Sequence, residues 1–99
     1  MYLDNYINDI KDLCLINKVK TLYVFGSVLT NNFTEKSDID LVVDIDAEDP
    51  LEYADFYFNL KFSLQDLLKR QIDLLENKAI RNPYIKENIE RSKSLIYAA

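Results

Sequence analysis

Ninety-nine residues, 48% of them apolar and 12% aromatic, suffice for one compact domain with a real core and exclude a largely disordered chain. A formal net charge of −5 excludes a domain held on nucleic acid by a general basic surface, while leaving open nucleotide binding through a metal that reverses the local sign. The absence of histidine excludes a Ser-His-Asp triad, a Cys-His pair and any His-ligated zinc site.

Leu3, Tyr6, Ile7, Ile10, Leu13 and Cys14 recur at three- and four-residue steps, which predicts an amphipathic helix of about four turns ending at Asn17-Lys18. The lone cysteine, Cys14, falls inside that apolar pattern and reads as a buried thiol in a reducing compartment. Thr21 to Phe25 is a β-branched and aromatic run, predicted as a buried strand that stops at Gly26-Ser27. Val28 to Phe33 reads as a short helix or turn, and Asn31, Asn32 and Thr34 as loop.

Asp38 to Asp46 alternates strictly, with Ile39, Leu41, Val43 and Ile45 on one face and Asp38, Asp40, Asp44 and Asp46 on the other, so a second strand is predicted. Asp49-Pro50-Leu51-Glu52 supplies an N-cap, a first-turn proline and a third-position acid, and opens a long helix to about Arg70. Gln71 to Glu76 is a third short strand containing Asp73. Asn82-Pro83 opens a last helix, with Ile85, Ile89, Ile96 and Tyr97 as its stripe. Strands alternating with helices predict an α/β layer fold, a small sheet flanked by helices, in a single domain over residues 1–99. Met1-Tyr2-Leu3-Asp4 lacks the basic start and long apolar run of a signal peptide, and no segment is long and apolar enough to span a bilayer, so a soluble cytoplasmic protein is expected.

Three features bear chemistry. Gly26-Ser27, at the end of an apolar strand, can turn backbone N–H groups and a hydroxyl toward a phosphate, glycine permitting close approach. Asp38 and Asp40 point the same way on a strand, about 6.6 Å apart along the backbone, and can converge on divalent metal. Asp44 and Asp46 share that parity but lie roughly 13–20 Å further on, too far to join them. Asp73 can supply a third ligand or accept the proton of an attacking hydroxyl. Each feature alone also describes an ordinary turn or a solvated acid; their combination is what points to a site. Tyr53, Tyr57 and Tyr84 occupy helical positions that suit packing rather than stacking on a ligand.

The composite, Phe25-Gly26-Ser27, nine residues, then Ser37-Asp38-Ile39-Asp40-Leu41 and an acid in the next strand, resembles the nucleotidyltransferase superfamily that includes DNA polymerase β. The short length is similar to its minimal nucleotidyltransferase (MNT) branch, whose members are often antitoxins of HEPN/MNT toxin–antitoxin pairs. The resemblance implies a polymerase β-like fold with a mixed sheet and helices, ATP as donor and Mg²⁺ as metal. It implies Asp38, Asp40 and Asp73 as metal-binding catalytic residues, with Gly26 and Ser27 holding the triphosphate. The reaction implied is AMP transfer to a hydroxyl, in the best-understood branch a tyrosine of the partner HEPN toxin, with no role for nucleic acid or membrane.

Many relatives carry an arginine and a glycine soon after Gly-Ser, whereas Val28, Leu29, Thr30 and Asn31 stand here; Lys36 or a partner's residue would have to supply that charge. Larger relatives hold the acceptor in a second domain, so here the acceptor is expected on another chain. Residues 34–55 carry nine acids against one lysine, and residues 78–99 five basic residues against two acids, a polarity able to steer a partner. The alternative is an antitoxin that neutralises its partner by binding alone. Oligomeric state is not encoded legibly.

Overall fold

The structure, a computed structural model, describes all of residues 1–99. Its chain starts as a 3-10 turn, Tyr2–Tyr6, before settling into helix α1, Ile7–Ile16. The single four-turn helix expected here is thus two pieces, although Leu3, Ile10 and Cys14 all reach the core as their spacing requires. Burial pushes the Cys14 thiol up to about 12, which makes it an inert core group. Asn17 closes α1, its backbone N–H donating to the Leu13 carbonyl.

Strand β1, Val19–Phe25, leads through a 3-10 turn at Gly26–Leu29 and a loop to β2, Ile39–Ile45. Helix α2, Pro50–Leu68, begins where the sequence predicts, with the Asp49 carboxylate accepting from the Leu51 N–H at 2.9 Å. It ends at Lys69, which takes the left-handed conformation (φ 55°) and donates its N–H to the Gln65 carbonyl. Strand β3, Ile72–Glu76, follows, and then α3, Pro83–Ser92, capped by Asn82.

One element departs from expectation. Ser94–Ala98, including Ile96 and Tyr97, is a strand, β4, and not the last turns of a helix. Ile85, Ile89 and Ile96 fit a helical stripe, but β1 has a free edge, and antiparallel pairing of β4 there satisfies backbone groups of both strands. One side chain placed in the packing by its spacing also differs: Tyr84 is 77% exposed.

The sheet order is β3-β2-β1-β4, with β1 antiparallel to both neighbours and β2 parallel to β3 across the α2 crossover. This is the small mixed sheet flanked by helices that the sequence predicts. Leu22, Val24, Leu41 and Val43 join Leu60, Leu64 and Leu68 of α2 in one apolar cluster. Asn59 of α2 donates to the Asn17 side chain at 2.8 Å and ties α2 to the end of α1. Strict alternation leaves the opposite face of the sheet to Phe25, Asp40 and Asp73.

Candidate active site

Register decides which acids meet. Asp40 of β2 lies beside Asp73 of β3 in the parallel ladder, and beside Phe25 of β1 on its other side. Leu41, one residue on, pairs with Leu74 and Val24 in the core. A one-residue slip of β3 would send Asp73 to the wrong face, so the packing of Ile72 and Leu74, both buried, fixes the acid beside Asp40. Asp38 precedes β2 by one residue. Asp44 pairs with Thr21 farther along the strand, and Asp46 lies beyond β2, its N–H donating to the Lys18 carbonyl.

Electrostatics report the same cluster. Burial, then the nearby charges of Asp73 and Asp38, hold the Asp40 carboxyl above the usual carboxylate range. The three acids do not close on a common point: no three Asp, Glu, His or Cys side chains stand at metal-holding distances.

The chain's only glycine completes the arrangement. Gly26 sits at φ +79°, and a Cβ built on it would stand 2.5 Å from Asp40 Oδ2. Glycine here serves two needs at once, a left-handed turn at the end of β1 and space beside a carboxylate. Ser27 is the next residue, within the 3-10 turn, and its carbonyl accepts from Thr30 Oγ1 at 2.9 Å and from the Thr30 N–H at 2.9 Å. The donor set suits a hard divalent cation: carboxylate oxygens without thiol or imidazole, with Asp38 and Asp73 bringing like charge toward Asp40.

The chain's two cavities, of about 360 and 370 Å³, are lined elsewhere, one by Tyr53, Tyr57 and Glu76 and the other by Lys18, Lys20 and Asp46. Arg70, which carries no motif signal in the sequence, reaches the loop before Asp38 and donates to the carbonyls of Thr34 and Ser37.

Residues 8–99 match the family model described as polymerase beta, nucleotidyltransferase. The chain belongs to the polymerase β nucleotidyltransferase family. Within this family it is 49% identical over 80 residues to a protein of Methanocaldococcus jannaschii named as a protein adenylyltransferase, the match covering 81% of this chain and 76% of that one. Among solved structures, a toxin–antitoxin structure with AMP-PNP superposes with a TM-score of 0.72 at 22% identity, covering 94% of this chain and 73% of the other. A structure of a tri-AMPylated Shewanella oneidensis HEPN toxin in complex with its MNT antitoxin is similar with a TM-score of 0.66 at 22% identity, covering 100% and 74%. The nucleotidyltransferase fold expected from Gly26-Ser27 and Asp38-x-Asp40 is therefore the fold present, and the chain is a nucleotidyltransferase.

Proposed function

We propose that this nucleotidyltransferase, acting as a single unit over residues 1–99, is a Mg²⁺-dependent protein adenylyltransferase that moves AMP from ATP to a hydroxyl of a partner protein. The partner we infer is a HEPN-family toxin, the acceptor a tyrosine, and the setting a cytoplasmic toxin–antitoxin pair. The observation that carries the reading is Asp40 and Asp73 side by side across β2 and β3, with Gly26 leaving space against Asp40. The names of the relatives and structural neighbours support the reaction class and the partner class.

In this reading Asp38, Asp40 and Asp73 hold the metal, and the backbone at Gly26 and Ser27 holds the triphosphate. When bound, the divalent cation neutralises phosphate charge and orients the donor for in-line displacement. The acceptor oxygen forms a bond to the α-phosphorus, the bond to the β-phosphate oxygen breaks, and pyrophosphate leaves. In this reading Asp73, exposed near the start of an edge strand, takes the hydroxyl proton. The acid-rich segment 34–55 would draw a basic acceptor surface toward this face.

Purified protein incubated with its cognate toxin, ATP and Mg²⁺ is expected to add AMP mass to the toxin in intact-mass spectrometry, and Asp38→Asn or Asp40→Asn to abolish the addition. No adduct under those conditions would overturn the reading. Neutralisation by binding alone is favoured by one observation, that Val28, Leu29, Thr30 and Asn31 stand where many relatives have a basic residue. If the Asp38→Asn variant still protects cells from the toxin, binding alone suffices.

A further inference from the structure

We propose that Arg70 is a positioning residue for Asp38, fixing the backbone on which that carboxylate is carried; the catalytic consequence rests on the adenylyltransferase reading above, the geometry does not. Arg70 Nη1 donates to the Thr34 carbonyl at 2.7 Å and to the Ser37 carbonyl at 2.9 Å. Those two carbonyls belong to one tight turn, in which the Ser37 N–H donates to the Thr34 carbonyl at 3.1 Å and Ser37 Oγ accepts from the Thr34 N–H at 2.9 Å. The next residue, Gln71, accepts from the Ile39 N–H at 3.1 Å. Consecutive residues 70 and 71 therefore hold the residues on either side of Asp38, at 37 and 39. The same short stretch continues into β3 and Asp73, so the acids of two strands are referenced to one piece of backbone.

The guanidinium is itself fixed. It lies over the rings of Tyr2 and Phe33, at 4.6 and 4.3 Å, and those rings pack on each other at 5.5 Å and 50°. Tyr2 Oη donates to the Leu68 carbonyl at 3.1 Å, anchoring that ring to the end of α2. Lys69, in its left-handed conformation, ends the helix just before Arg70, so the chain changes direction where the clamp begins. A plane that lies on two aromatic faces while donating in its edge is a guanidinium's property; an ammonium has no such plane. A turn that needed only closure would not require it.

The test compares parent, Arg70→Met, which keeps an apolar stem over the rings, and Arg70→Lys. On protein without nucleotide, hydrogen exchange at the Ser37 and Ile39 amides is expected to rise at least about tenfold in Arg70→Met, with Val24 and Val43 amides unchanged. Mn²⁺ affinity, followed by paramagnetic broadening, is expected to fall about tenfold, and kcat for AMP transfer about a hundredfold with the ATP KM within about threefold. Arg70→Lys should recover part of each. Unchanged exchange at 37 and 39 overturns the proposal, as does a uniform rise at all amides, which is a structural role alone. A raised KM with unchanged exchange also overturns it, because Arg70 would then hold the nucleotide. Absence of transfer in the parent overturns the adenylyltransferase reading and leaves the exchange and Mn²⁺ results to judge the clamp.

Discussion

Replacing Gly26 by alanine adds one methyl group at the point where β1, the 3-10 turn after it and Asp40 meet. Two separable effects follow from the structure. The backbone at φ +79° costs an L residue about 1–2 kcal/mol relative to glycine. For a domain of this size that lowers the melting temperature by roughly 4–15 °C. The second effect is steric. The new Cβ would stand 2.5 Å from Asp40 Oδ2, whereas comfortable contacts begin about 1 Å farther out. Asp40 lies on the central strand β2, hydrogen-bonded on both sides, so the side chain yields rather than the backbone. On the proposed metal-holding role of Asp40, moving its carboxylate by about 1 Å costs on the order of a hundredfold in rate. The assay is AMP transfer to the partner by intact-mass spectrometry, run well below the melting point of the variant so that folding and catalysis are read apart. Gly26→Asn supplies the control, since asparagine tolerates a left-handed φ better but still brings a Cβ. It is expected to regain part of the lost stability and none of the transfer. If Gly26→Ala melted within about 2 °C of the parent and transferred AMP within about threefold of it, both parts of the reasoning would be refuted.

Asp40→Asn should be more stable than the parent at pH 7 in thermal melts, because burial and the charges of Asp73 and Asp38 disfavour its ionised form. A folded-state value above the unfolded one means stability is fullest at low pH and is lost as pH rises through the raised value, so the advantage should vanish on acidification; a variant less stable than the parent at pH 7 would contradict this. Mg²⁺ or Mn²⁺ at tenfold its dissociation constant should stabilise the parent by about 1.4 kcal/mol, seen as a raised melting temperature, and Asp38→Asn/Asp40→Asn should lose that response. Asp49→Ala removes the carboxylate that accepts from the Leu51 N–H and is expected to cost about 1 kcal/mol in denaturant unfolding, with AMP transfer unchanged. Leu60→Ala, at a side chain without solvent exposure, is expected to cost about 2–5 kcal/mol in the same measurement.

Much of the architecture is local in origin. Asp49-Pro50 starts α2 whatever surrounds it, because an N-cap carboxylate and a proline with no N–H to satisfy act within one turn. Period-two alternation from Ile39 to Ile45 makes a strand with acids on one face, and the sole glycine marks where β1 must turn. These signals also mark Asp38, Asp40, Gly26 and Ser27, while the meeting of Gly26 with Asp40 follows from the pairing of β1 with β2. The tyrosines of α2 and α3 divide between the two levels. Tyr53 is buried and Tyr57 donates to the Leu74 carbonyl, as core-like positions suggest, whereas the exposure of Tyr84 depends on how little α3 is covered.

Pairing between distant segments decided the rest. Asp73 stands beside Asp40 only because β3 runs parallel to β2 in one register, a choice made by the burial of Ile72 and Leu74 and by the length of the α2 crossover. Ser94–Ala98 became a strand because β1 offered an unpaired edge, a fact absent from the local spacing that suits a helix equally well. Arg70 had no signal at all, because its partners are backbone carbonyls 36 and 33 residues away and carbonyls have no sequence identity. The sequence by itself determined most of the elements, the Gly-Ser turn and the acids of the Asp-x-Asp segment; tertiary structure decided the last strand, which acid joined them and what holds them still, since strand register and backbone acceptors exist only once the chain has folded.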